Sequence, residues 1–165
     1  MTKKILITGA NGFLGSSITK LGLQKGYVVN VFVRKDSDLS NLKPYLSKIN
    51  LYYGDLRDID SLHNPLNASD IIFHVAADYR LWARKPAEIF SANVLGTENI
   101  ASKVIELNKT LIYTSSVATL GIKKGQVSNE DSEASIDEMF GDYKKSKYLA
   151  EKIITGMIKK KSSKQ

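Results

Sequence analysis

Tyr143 and Lys147 stand four residues apart in the run YKKSK, and on a helix that spacing brings a phenol and an ammonium to one face. A cation beside a phenol favours the phenolate, so the pair suits the giving and taking of a proton near neutral pH. Upstream, YTSSVAT puts Ser115 and Ser116 directly after a short apolar run, where a hydroxyl can hold the oxygen of a reacting substrate. Near the N-terminus, TGANGFLG spaces Gly9, Gly12 and Gly15 three apart just after KILI. Glycines at a strand-to-helix turn permit a tight bend and let backbone approach a pyrophosphate, and the following helix N-terminus favours the anion. Taken singly, a Tyr and a Lys at this spacing are most often surface packing, and a glycine-rich turn is weak evidence of a ligand. Together, in this order after a glycine turn, they are far from common.

The elements that must position these residues are legible as alternation. Five short runs rich in β-branched residues, Lys3 to Thr8, Val28 to Val33, Ile49 to Tyr53, Asp70 to Ala76 and Thr110 to Ser115, are separated by segments of helical period. That pattern predicts an α/β fold, a doubly wound parallel sheet with helices on both faces. One helix is expected over Pro86 to Asn108, with Ile89, Phe90, Val94, Ile100, Val104 and Ile105 on one stripe. Another is expected from about Asp142 to Ile158, burying Ala150, Ile153, Ile154, Met157 and Ile158. The connections ADYRLWARK and Gly121 to Ser135 are long for loops and are expected to be functional or mobile.

Bulk properties narrow the function classes. With 165 residues, 42% of them hydrophobic and 25% charged, the chain suits one domain with a sizeable core. Cysteine is absent, which removes disulfides, thiolate metal sites and a cysteine nucleophile, and no metal site is expected. No apolar run approaches a membrane span, and the N-terminal apolar run is too short for a signal peptide, so a cytoplasmic protein is expected. Of the +7 net charge, four lysines fall in the last seven residues, KKKSSKQ, leaving an ordinary balance elsewhere. Nucleic acid is therefore not an expected partner.

The assembled motifs resemble the extended short-chain dehydrogenase/reductase superfamily, whose T-G-x-x-G-x-x-G and Y-x-x-x-K are matched by TGANGFLG and YKKSK. GDLRD (54 to 58), HVAA (74 to 77), Asn93 and YTSSVAT match as well. More narrowly, HVAADYRLWARKP, SANVLGTENI, YTSSVATLG and YKKSKYLAE look like the hopanoid-associated sugar epimerase group, close to the dihydroflavonol 4-reductase-like reductases. The resemblance implies a Rossmann-like sheet of order 3-2-1-4-5. It also implies an NAD(P)-dependent oxidoreductase or epimerase acting on a hydroxyl or carbonyl carbon of a nucleotide sugar or dihydroflavonol-like molecule. Carried over by position, Gly9, Gly12 and Gly15 meet the cofactor diphosphate, and Asn11, Phe13 and Leu14 of the same turn also bind the cofactor. Asp55 and Leu56 hold the adenine, and Ala76 and Ala77 lie under the nicotinamide ribose. Tyr143 is the general acid/base, Lys147 binds the ribose hydroxyls, and Ser116, with Ser115 as the alternative, holds the substrate oxygen. Other readings stay open: Asp55 as a helix cap, Asn93 as a helix-interior hydrogen bonder, His74 as packing, Tyr79 and Trp82 as loop packing or substrate contacts.

Cofactor choice is readable from residue types. An NAD site wants a carboxylate at the end of the second strand, where this chain has Arg34 and Lys35, with Asp36 and Asp38 only later. Arginine there suits a 2′-phosphate, so NADP is expected in preference to NAD. Members of the superfamily run about as long again, so residues 1–158 are expected to be the cofactor domain, 159–165 a basic tail, and the C-terminal substrate domain absent. A non-catalytic NADP-binding remnant or interaction module is the alternative function, and a homo-oligomer or a complementing C-terminal partner stays open.

Overall fold

The computed structural model describes residues 2–122 and 125–162. Its order of elements is β1 (Lys4–Thr8), α1 (Phe13–Gln24), β2 (Val28–Val33), a 3-10 stretch (Ser40–Lys48), β3 (Asn50–Tyr53), α2 (His63–Asn67), β4 (Ile71–His74), α3 (Pro86–Phe90), α4 (Gly96–Glu106), β5 (Thr110–Tyr113) and α5 (Asp142–Ser162). The five strands form one sheet of order β3-β2-β1-β4-β5. Every neighbouring pair is parallel, with Ile5 opposite both Val29 and Ile71, and Ile72 opposite Leu111. This is the doubly wound parallel sheet that the alternation predicts, in the Rossmann-like order that the resemblance implies.

By contacts the chain divides into two compact units, Met1–Ala77 with Asn99–Thr114, and Asp78–Glu98 with Ser115–Gln165. The first unit is the sheet and its cover. Because side chains alternate across a strand, Ile5, Ile7, Val29, Val31 and Val33 pack on one face with Leu42. Leu6, Phe32 and Ile72 pack on the other with Leu62, Leu66, Ile100 and Val104. Both faces are apolar, as a parallel sheet covered on both sides requires. Asn108, at φ 50, closes α4 in the left-handed region, and Lys109 N–H returns to the Val104 carbonyl at 2.9 Å.

The helices depart from the sequence reading in detail. The helix expected over Pro86 to Asn108 is broken into α3 and α4 by a π turn at Ser91–Leu95. Ile105 lies off the buried stripe and is exposed. α5 continues four residues past Ile158, because lysine is a good helix former and neither glycine nor proline follows to stop it. Burial fades along its length: Ala150 is buried, Ile153, Ile154 and Met157 half-buried, and Ile158 is 59% exposed, contrary to the expected apolar face. Of the expected basic tail, residues 163–165 lie outside the described residues, as do Lys123 and Lys124 in the loop expected over Gly121 to Ser135. Among the described residues no helix is long and apolar enough to cross a membrane.

Candidate active site

In the first unit the glycine turn joins β1 to α1. Gly9 has φ +67, and a Cβ there would lie 2.7 Å from the Ala76 Cα, so both the bend and the close approach require glycine. A Cβ on Gly15 would lie 2.2 Å from the Gly9 carbonyl oxygen, so α1 can start against the turn only without a side chain there. Gly12 differs. Its φ of −77 and ψ of 177 suit any residue, and a Cβ would meet nothing closer than the Gly9 oxygen at 3.4 Å. The fold therefore gives no reason for glycine at 12, and the bare backbone leaves room for a ligand to lie against it. Gly12 is the N-cap of α1, no side chain caps that helix, and its first turn has no acidic residue. A dinucleotide diphosphate fits that end. Phe13 is 90% exposed and Leu14 is exposed beside it, while Asn11 braces the turn, donating to the Asp38 carbonyl at 3.2 Å and receiving Asn41 Nδ2 on its own carbonyl at 2.9 Å.

Thr8 and His74 hold the neighbouring strand end. Thr8 Oγ1 lies 2.8 Å from His74 Nδ1 and accepts from the N–H groups of Val75 and Ala76, each at 3.2 Å. His74 is buried, with its ring tilted against Tyr113. Its surroundings are those of a packed, hydrogen-bonded residue. Ala76 thus has its backbone fixed next to Gly9, and Ala77 follows half-buried.

Beyond β2, Arg34, Lys35, Asp36, Gly54, Asp55 and Arg57 line an open cleft of about 370 Å³. Arg34 meets Asp36 at 3.8 Å with both side chains largely exposed, a pairing that contributes little. Asp55 is committed instead: it accepts from Arg57 Nε at 2.9 Å, Nη2 at 2.5 Å and backbone N–H at 2.9 Å. The Arg57 hydrogen bond, against some burial, holds the Asp55 carboxyl below the usual carboxylate range. Asp55 caps no helix by its side chain; it folds back on the residue two further on. Leu56 packs on the Phe32 side of the sheet, and its carbonyl receives Asn99 Nδ2 at 2.9 Å.

In the second unit α5 carries Tyr143 and Lys147 one turn apart. Lys147 is 3% exposed, far from the surface position that an unremarkable helical lysine takes. Burial pushes its ammonium down to about 8, while the Glu151 charge pulls the other way. Ser116 is the N-cap of the 3-10 turn Val117–Thr119, and its Oγ accepts from Ala118 N–H at 3.2 Å. Ser115 donates to the Glu151 carboxylate. Tyr79 and Trp82 are 80% and 73% exposed, so they do not serve as loop packing.

Two arrangements have partners that the sequence does not show, although Asn93 itself is the helix-interior hydrogen bonder that the sequence allowed. Asn93, in the π turn, accepts from Asp78 N–H at 2.6 Å and donates to the Asp78 carbonyl and to Ser146 Oγ, each at 2.9 Å. Ser146 in turn donates to the Tyr143 carbonyl at 2.7 Å. The cluster of Ser115, Thr119 and Glu151 is the other; the repeat of four from Tyr143 to Lys147 to Glu151 was its available signal. Among the described residues no group of His, Asp or Glu side chains could hold a metal ion.

A parallel sheet of this order with a glycine turn after its first strand defines a Rossmann-like dinucleotide-binding fold. The chain belongs to the NAD dependent epimerase/dehydratase family, whose model matches residues 5–164. It is 38% identical over 154 residues to the "Putative dihydroflavonol 4-reductase" of Synechocystis sp., covering 92% of this chain and 44% of that protein. It is 30% identical over 156 residues to the N-acetyl-alpha-D-glucosaminyl-diphospho-ditrans,octacis-undecaprenol 4-epimerase of Escherichia coli O157:H7, covering 93% and 43%. The crystal structure of gox2253 matches with a TM-score of 0.88 at 39% identity, over 97% of this chain and 48% of that one. The chain thus spans less than half the length of these relatives.

Proposed function

We propose that this chain binds a nicotinamide dinucleotide, NADP(H) in preference to NAD(H), and serves an oxidoreductase or epimerase reaction at a carbon bearing a hydroxyl or carbonyl. The substrate classes are those its relatives are named for, a dihydroflavonol-like small molecule or a diphospho-sugar. The observation that carries this reading is the burial of Lys147 one turn from Tyr143. Desolvating an ammonium is costly, and a helix that only needed a polar face would leave that lysine in water.

When bound, the nicotinamide supplies or receives the hydride. Tyr143 gives its hydroxyl proton to the substrate oxygen in reduction and takes it back in oxidation. Ser116 donates a hydrogen bond to that oxygen: its Oγ already accepts from Ala118, and its own hydrogen has no acceptor among the described residues. Lys147 binds the ribose hydroxyls. Gly9, Gly12 and Gly15, with Asn11, Phe13 and Leu14, form the turn that receives the diphosphate. Asp55, Leu56, Ala76 and Ala77 complete the cofactor contacts. Preference for NADP rests on Arg34, whose weak pairing to Asp36 a 2′-phosphate can displace.

The test is NADPH oxidation followed with aldehydes, ketones and nucleotide sugars, comparing the native chain with Tyr143→Phe. Loss of roughly two to four decades in turnover, with NADPH affinity kept, is the expected result. Equal turnover in the variant would overturn the assigned role.

A further inference from the structure

The proposed chemistry gives Glu151 no task, yet its carboxylate is the hub of a polar cluster in the second unit. Ser115 Oγ donates to Glu151 Oε2, and Thr119 Oγ1 lies 3.0 Å from the same oxygen. Thr119 Oγ1 is also 2.7 Å from the Ser116 carbonyl, so its single hydrogen is shared between that carbonyl and Glu151. Thr119 is buried and Ser115 half-buried. One carboxylate on α5 therefore ties down both ends of the turn that carries Ser116.

Hydroxyl counting then separates the two serines. Each has one hydrogen to donate. That of Ser115 is committed to Glu151 in a charge-assisted bond, about twice as strong as a neutral one. Ser116 Oγ uses a lone pair to accept from Ala118 N–H and keeps its hydrogen available. Glu151 is also one turn beyond Lys147 and two turns beyond Tyr143, so one helix carries the proton donor, the ammonium and the residue that fixes the serine turn.

We propose that Glu151 is a positioning residue: by holding Ser115 and Thr119 it fixes the turn so that Ser116, and not Ser115, presents its hydroxyl to the substrate oxygen. This rests on the oxidoreductase reading above. Glu151 touches no reacting atom itself. It acts through Ser116, and its loss lowers the rate of the chemical step.

The experiment has two arms on the 165-residue chain. The first needs no catalysis: amide hydrogen exchange at Ala118 and Thr119, whose N–H groups are held by Ser116. Glu151→Ala should raise exchange there by about tenfold or more and Glu151→Gln by less, with the sheet strands unchanged. The second is NADPH oxidation with benzaldehyde. Ser116→Ala should lower kcat by roughly 10² to 10³, as removal of an oxyanion donor does. Glu151→Ala should lower kcat by roughly ten to a hundredfold, and Ser115→Ala by less than about tenfold. A Ser115→Ala loss equal to that of Ser116→Ala would overturn the proposal, and so would unchanged exchange at Ala118 in the Glu151 variants. If Glu151→Ala does not fold, Glu151→Gln and Ser115→Ala carry both arms. If the native chain does not oxidise NADPH, the oxidoreductase reading is what fails, and the exchange arm alone decides whether Glu151 fixes the turn.

Discussion

Asn93 Nδ2 donates to Ser146 Oγ at 2.9 Å, joining the π turn between α3 and α4 to the second turn of α5. Both residues are buried, and Ser146 directly precedes Lys147. The same Asn93 side chain closes a two-way bridge to the backbone of Asp78. A π turn widens the helix by one residue and re-aims a side chain, and here it directs an amide toward three partners at once. Such turns recur at functional sites, and this one braces the helix that carries Tyr143 and Lys147.

Asn93→Ala leaves the Asp78 N–H without that acceptor and removes two donated bonds. A loss of about 2 to 3 kcal/mol in urea denaturation is expected, at the level of leaving buried polar groups unmatched. Ser146→Ala should cost only about 1 kcal/mol, since it removes one neutral partner of Asn93. Equal small losses in both variants would contradict the bracing role.

The buried Lys147 makes stability depend on pH with a definite sign. Its folded pKa, about 8, lies below the ordinary 10.5, so between these values the unfolded chain binds more protons than the folded one. Stability therefore rises with pH across about 8 to 10.5, while below 8 the cost of burying the charge is present in full. That cost is on the order of 3 kcal/mol. Lys147→Met should be more stable than the native chain near pH 7, and the gap should close as pH rises toward 10. Parallel stability curves for the two proteins would contradict the assignment.

Arg34 is expected to set the choice between cofactors. A charge-assisted bond to phosphate contributes about 1.5 to 3 kcal/mol, so Arg34→Ala should weaken NADPH by about one to two decades and leave NADH nearly untouched. Fluorescence titration with each cofactor checks this, and equal losses for both would refute it.

How far the sequence could be read follows from which interactions are local. The strands were legible because short β-branched runs are local, the parallel pairing followed from their alternation with helices, and the strand order followed from the family resemblance. The glycine turn and the Tyr143–Lys147 spacing were legible for the same reason. What stayed hidden depends on partners far apart in the chain. Asn93 meets residues 15 and 53 positions away, and Ser115 meets one 36 positions away. The helix over Pro86 to Asn108 had the right span, but no local pattern marks a π turn at Ser91–Leu95. Exposure of Ile158 was missed because an apolar helical stripe shows only that a side could be covered. In sequence Asp55 reads as a cap or an adenine contact, and its bidentate pairing with Arg57, only two residues on, is visible only in side-chain geometry.

If the bare backbone at Gly12 serves a dinucleotide, calorimetric titration of NADPH will separate the native chain from Gly12→Ala. Gly12→Ala has φ −77 and room for a methyl, so its thermal stability should stay within about 1 kcal/mol of native. The native chain should bind NADPH saturably at one site, and Gly12→Ala should bind it at least about tenfold more weakly while remaining folded. Equal NADPH affinity in the two, or no saturable binding by the native chain, would contradict the account.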